Sequence, residues 1–304
     1  MSAPGCVLSH PPMVIIASAR YPSCMSSKQS VTRSREGRLY FIDRQFQRIW
    51  RWSDAGRLEI IRDAALDPVN LTIDKSGNLL VLSSQGRNGT VYSFKPGTPD
   101  TQMTVIAPTP VSRGKDAIVT MPVNWWNNGE FRDQIDPATY RFTTLEEMFA
   151  RDMAKPKTQQ YVSPDGSVAL PAWRVFSQGP TDHRGRRFSD ALDTYGFVQA
   201  RPGERVFVTN GSENRTYSGL VGAGGTLTDL KPFANRGGEG VATDAQGRVY
   251  VANGQVFVYA PDGKEIGRID VPERPLQLVF GGKDGRTLYI LTHHALYATQ
   301  TPQN

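Results

Sequence analysis

The sequence predicts an all-β fold, a six-bladed β-propeller with a partly helical insertion between the second and third blades. Three observations carry this. A glycine-marked turn recurs at a near-constant interval, Gly and Pro are abundant throughout, and the last repeat is one strand short. The 304 residues include 29 Gly and 21 Pro, about one residue in six, which leaves little room for long helices and favours short elements joined by turns.

The repeat is a polar turn, a glycine, one further residue, and a strand of Leu, Val and aromatics. It occurs as Arg35-Glu-Gly-Arg-Leu-Tyr-Phe41, Asp74-Lys-Ser-Gly-Asn-Leu-Leu-Val81, Ser163-Pro-Asp-Gly-Ser-Val-Ala-Leu170, Arg201-Pro-Gly-Glu-Arg-Val-Phe-Val208, Asp244-Ala-Gln-Gly-Arg-Val-Tyr-Val251 and Lys283-Asp-Gly-Arg-Thr-Leu-Tyr-Ile290. The turn glycines are Gly37, Gly77, Gly166, Gly203, Gly247 and Gly285, at intervals of 40, 89, 37, 44 and 38 residues. A unit of about 40 residues made of short strands is the signature of a propeller blade. One four-stranded sheet cannot bury both faces alone, so the blades stack around an axis.

Within the fifth unit the strands read as Val241–Asp244, Val249–Asn253, Val256–Ala260 and Ile266–Val271, separated by Asp-Ala-Gln-Gly, Asn253-Gly254 and Pro261-Asp-Gly263. The second unit repeats this as Leu71–Asp74, Leu79–Ser83, Val91–Lys95 and Thr104–Ala107. The sixth unit has Pro275–Phe280, Leu288–Thr292 and Leu296–Thr299, and then the chain ends. The apolar Met13–Ala19 stretch is the expected donor of its missing strand, within an otherwise atypical segment 1–30. The same stretch has the look of a short signal-peptide core, although no Lys or Arg precedes it.

The long interval places an insertion at 108–158, in a chain expected to form one domain over residues 1–304. Thr143-Thr-Leu-Glu146 reads as a capping box, followed by Met148, Phe149 and Met153 on one helix face. Trp125 and Trp126 favour an ordered segment, and insertions of this length in compact folds are commonly functional.

Several function classes find no support. There is no apolar run long enough for a transmembrane helix. The net charge of +6 reflects 35 basic and 29 acidic residues without a basic tract, the densest cluster being Arg184, Arg186 and Arg187, so neither nucleic acid nor membrane is an expected partner. Cys6 and Cys24 both lie near the N-terminus and found no disulfide framework. The expected location is cytoplasmic, with secretion or the periplasm as the alternative. No Gly-x-Ser-x-Gly, His-Glu-x-x-His, P-loop or dinucleotide fingerprint occurs. Adjacent His293 and His294 point to opposite faces of a strand and do not chelate one ion together.

Gly238-Glu-Gly-Val-Ala-Thr-Asp-Ala-Gln-Gly-Arg-Val-Tyr-Val-Ala252, Val258-Tyr-Ala-Pro-Asp-Gly-Lys264 and Pro272-Glu-Arg-Pro-Leu-Gln-Leu-Val-Phe-Gly-Gly-Lys-Asp-Gly-Arg-Thr-Leu-Tyr-Ile290 resemble the gluconolactonase and regucalcin (senescence marker protein) family. Arg38-Leu-Tyr-Phe-Ile-Asp43 with Arg48-Ile-Trp-Arg-Trp52, and Pro68–Val81, look like its first two blades. The resemblance implies a six-bladed propeller with a divalent cation, calcium or zinc, in the central channel. It also implies a small-molecule substrate, a sugar lactone or related ester, which the protein hydrolyses. A hard cation takes oxygen ligands and can polarise a carbonyl and activate water.

In that family the ligands stand at the starts of the innermost strands, about eight residues before each turn glycine. Counting back reaches Gln29, Val69, Thr158, Tyr195, Glu239 and Gln277. The family's Glu falls on Gln29, its Asn on Tyr195 and its Asp on Glu239, while the substrate-contacting Asn falls on Val69 or on Asn70 next to it. Glu239 is thus the expected catalytic residue and, with Gln29, the expected metal ligand. Asn70, Tyr195, Gln277 and, from the insertion, Asn124 are the expected substrate contacts, and Asn127, Asn128 and Glu130 are further polar candidates. Only Glu239 keeps an acidic donor, and Gln29 cannot act as a base. Two other readings stay open: a ligand-binding propeller without catalysis that has lost the metal, and a metal-independent hydrolase.

Overall fold

The computed structural model describes residues 13–18, 31–34, 36–43, 46–53, 56–83, 90–107, 109–110, 118–122, 159–171, 197–210, 214–221, 227–237 and 239–302. Their strands make six sheets. The first runs through Val31–Arg33, Leu39–Asp43, Arg48–Trp52 and Leu58–Arg62, and the second through Pro68–Ile73, Leu79–Ser83, Thr90–Phe94 and Thr104–Val105. The fourth sheet has Arg205–Asn210, Arg215–Val221 and Leu227–Ala234; the fifth has Val241–Thr243, Val249–Asn253, Gln255–Tyr259 and Glu265–Ile269. The sixth has Gln277–Gly281, Thr287–Leu291 and Ala295–Gln300, joined on its outer edge by Val14–Ser18, which pairs antiparallel with Ala295–Gln300. These five are antiparallel meanders, the blades of an all-β propeller, and each is called below by the number of its sheet.

All six ruler glycines adopt positive φ, between 70° and 91°. That is the left-handed region where a Cβ is penalised, so the repeat is a repeat of backbone geometry as well as of sequence. At every ruler glycine but Gly203, whose N–H donates to Val221 O, the residue three before accepts the glycine N–H through its carbonyl. Asp244, for instance, accepts from Gly247 N through its carbonyl at 3.0 Å and from Arg248 N through Oδ1 at 2.9 Å.

Second strands are buried on both faces, which is why they read as unbroken apolar runs: Leu79, Leu80, Val81 and Leu82 are each fully buried, as are Val249, Tyr250, Val251 and Ala252. The sheets then stack face to face. Tyr250 and Val258 of the fifth pack on Leu278 and Ile290 of the sixth. Leu39 and Phe41 of the first pack on Tyr289 and Leu296 of the sixth, and Ile42 and Ile49 meet Leu71 and Val81 of the second.

The third sheet departs from the repeat. Its order is Thr109–Pro110, Gln159–Val162, Val168–Pro171, Ile118–Pro122, Phe197–Ala200, and Ile118–Pro122 pairs in parallel with Val168–Pro171. Phe197–Ala200 leads into the fourth turn glycine and belongs to the fourth unit by spacing. It pairs instead with Ile118–Pro122, so the fourth sheet has three strands. The stretch 108–158 therefore contributes strands, and the only helical segment among the described residues is the 3₁₀ turn Asp100–Gln102. The helix expected around residues 143–153 lies outside the described residues. The third turn is nevertheless stitched to the second: Ser76 N donates to Asp165 Oδ2 at 2.7 Å and Lys75 N to Ser167 Oγ at 2.9 Å. Burial opposes ionisation of Asp165, but hydrogen bonds from Ser167, Ser76 and Ser163 outweigh it and hold the carboxyl well below the usual carboxylate range.

Candidate functional site

In an antiparallel meander, the start of the first strand and the turn between the second and third lie at one end of the blade. The ruler glycines lie at the other. Glu239, Gln277, the 270–276 connection and the His293–His294 turn are thereby brought to the same end of the fifth and sixth blades.

Glu239 immediately precedes the inner strand Val241–Thr243, and its backbone is locked from both sides. Thr209 Oγ1 donates to its carbonyl at 2.6 Å from the fourth sheet. The next residue, Gly240, donates its N–H to Leu276 O at 2.9 Å and accepts from Ala252 N at 2.9 Å. A Cβ on Gly240 would stand 2.7 Å from Gln277 Cα and 3.0 Å from Leu276 O, so only glycine permits this approach of the fifth blade to the sixth.

The Glu239 side chain is 4% exposed, and its Oε1 accepts from Arg274 Nη2. Arg274 comes from the connection between Glu265–Ile269 and Gln277–Gly281, and its side chain is 63% exposed. The ion pair offsets the desolvation of the carboxylate while most of the Arg274 side chain faces water.

Glu273, one residue earlier, turns the other way. Its Oε2 accepts from Thr292 Oγ1 at 2.8 Å and from His294 N at 3.2 Å, and lies 3.3 Å from His294 Nδ1. Burial alone would raise this carboxyl, but the bonds from Thr292 and His294 outweigh it and hold it below its ordinary value. The His293 and His294 rings are 6.1 Å apart and tilted at 48°.

Among the residues expected from sequence, Glu239 and Gln277 meet in adjacent blades. Gln277 is 6% exposed at the head of its strand, where it pairs with Leu291. Asn70 sits in the inner strand of the second blade, fully buried, its Oδ1 accepting from Leu71 N at 2.8 Å beside a bulge in the pairing with Leu79–Ser83. Gln29, Asn124 and Tyr195 lie outside the described residues, as do Asn127, Asn128 and Glu130. Arg274 and Glu273 were not singled out by sequence. The available signal was a charged pair flanked by Pro272 and Pro275, directly before an inner strand.

The divalent cation implied by the resemblance does not fit the described residues. No group of three or more His, Cys, Asp and Glu side chains among them is placed to hold an ion. The one carboxylate at a ligand position already bonds a guanidinium, and a second cation on that carboxylate would be repelled by the first.

Residues 199–294 match the family described as the SMP-30/gluconolactonase/LRE-like region. No curated protein matches the chain. Among solved structures, a protein inferred to be a gluconolactonase is 17% identical, covering 95% of this chain and 91% of its own, with a TM-score of 0.54. A gluconolactonase from Xanthomonas campestris is 15% identical over 95% of this chain and 89% of its own, with a TM-score of 0.51. A streptogramin B lyase is 11% identical over 96% and 98%, with a TM-score of 0.50. At these identities the likeness is one of fold.

Proposed function

We propose that this propeller, whose residues 199–294 carry the SMP-30/gluconolactonase/LRE-like region, is a lactone hydrolase acting on a sugar lactone or related ester. In this reading the irregular third sheet is the remaining blade of a six-bladed ring. The observation that carries the proposal is Glu239, an acidic residue within the matched region, fixed by Thr209 and Gly240 at the head of an inner strand. Glu239 acts as general base. The water oxygen bonds to the lactone carbonyl carbon as its proton passes to the carboxylate. The ring C–O bond then breaks, the proton returns to the leaving alkoxide, and a hydroxy acid results. Because the described residues do not fit the divalent cation, no step runs through one. Gln277 in the adjacent blade, and Asn70, Tyr195 and Asn124, remain the proposed substrate contacts.

The Arg274–Glu239 pair also favours a second reading, a binding propeller in which the guanidinium has displaced both metal and catalysis. Assaying the purified chain against five- and six-membered sugar lactones separates the two. Ring opening above the spontaneous rate supports the hydrolase, whereas saturable lactone binding with no ring opening supports the binder.

A further inference from the structure

We infer that Arg274 is the fixed cation of this site and binds the carboxylate of a polyhydroxy acid, the ring-opened form of the proposed substrate, without a metal ion. The inference rests on the lactone-hydrolase reading for the ligand's class, but the site itself stands on the geometry.

A guanidinium presents five N–H donors in a rigid fork. One arm is held by Glu239, and the side chain as a whole is 63% exposed, so the fork is anchored at one nitrogen on a side chain largely open to solvent. Its immediate acidic neighbour does not compete, because Glu273 is engaged with Thr292 and His294. The connection that carries Arg274 is pinned as well. Gln255 accepts from Val271 N through Oε1 and donates to Val271 O through Nε2 at 3.3 Å, and prolines stand at 272 and 275. Leu276 N closes the segment by donating to Leu291 O at 2.7 Å. A cation held this way loses little freedom on binding, and an arginine fork matches a carboxylate with two parallel bonds. The exposed fork accounts for the carboxylate, and the hydroxyls of the ligand follow from the lactone-hydrolase reading, since Gln277 and Glu239 are themselves buried.

The test is calorimetric titration of gluconate into the full chain in a chelator-containing buffer. The wild type is expected to bind and to weaken as salt is raised. Arg274→Gln is expected to bind about tenfold more weakly or worse, as loss of a charge-assisted pair implies. Since that variant leaves the buried Glu239 facing no guanidinium, the double variant Glu239→Gln/Arg274→Gln, which removes both charges, is titrated alongside after its melting transition shows it folded. It too is expected to lose at least about tenfold. Wild-type binding that is absent, or that needs added calcium or zinc, overturns the inference. So does a folded double variant that binds as tightly as the wild type. Lactone hydrolysis measured on the same samples keeps the two proposals apart. Gluconate binding without hydrolysis removes the hydrolase reading and leaves the carboxylate site, while hydrolysis and binding indifferent to Arg274 do the reverse.

Discussion

Arg274 bonds the carboxylate of Glu239, 35 residues earlier in the chain, and so ties the connection before the sixth blade to the head of the fifth blade's inner strand. The consecutive residue Glu273 bonds His294 at the far side of the sixth blade. One short connection thus spans the mouth of two blades with an ion pair on one side and a carboxylate–histidine contact on the other, and the exposed positive charge at its centre belongs to the chain itself.

That arrangement predicts indifference to metal. Adding calcium or zinc to chelator-treated protein is expected to leave both lactone hydrolysis and melting temperature unchanged. Bound metal at one ion per chain, found by elemental measurement on dialysed protein and released with loss of activity, would contradict it.

Gly240→Ala is expected to destabilise the fold by about 1–3 kcal/mol, the usual cost of overpacking a fitted contact. The added methyl would stand 2.7 Å from Gln277 Cα, and backbone cannot give way as a side-chain tip can. Denaturant unfolding measures the cost. A variant as stable as the wild type would mean that the fifth and sixth blades are not in register as described.

The opposite end of the fifth blade offers a control far from the mouth. Asp244 and Arg248 form an ion pair with side chains only 3% and 7% exposed, and Arg248 also donates to Pro302 O at 3.1 Å. Burial, with the charge of Asp244 beside it, pushes the Tyr250 hydroxyl above its ordinary range. Arg248→Met strands a buried carboxylate and is expected to cost about 3–5 kcal/mol. Equilibrium unfolding should register this loss, while lactone turnover per folded molecule stays at the wild-type level.

Acid should loosen the His294 side of the mouth. The Glu273 carboxyl is held below its ordinary value of 4.5, so the unfolded chain binds its proton first as pH falls. Its contribution to stability is therefore full above about 4.5 and is lost as pH drops through the lowered folded value. Glu273→Gln removes that contribution, so melting temperature recorded from about pH 6 down to pH 3 should fall less steeply in the variant than in the wild type. Parallel curves would show that the bonds to Thr292 and His294 add nothing.

The propeller was legible because its signals are local. Each ruler glycine marks a positive-φ turn that the neighbouring residues close by themselves, so spacing alone reports the blades. Partner choice between distant strands has no such local mark. The pairing of Phe197–Ala200 with Ile118–Pro122 joins segments separated by about 80 residues, and nothing in either segment names the other. The site divides the same way. Glu239 and Gln277 were found by counting from a turn, whereas Arg274 matters through a contact that only the stacking of blades creates.

Glu239 is proposed to work in a lactone-opening site that needs no added metal. The most direct measurement is the hydrolysis rate of a sugar lactone by chelator-treated wild type and by Glu239→Gln, each corrected for spontaneous opening. Wild-type turnover is expected in the chelator, with a loss of about 10²-fold or more in the variant, as removal of a general base implies. Equal rates in the two proteins, or wild-type turnover that appears only when a divalent cation is restored, would contradict it.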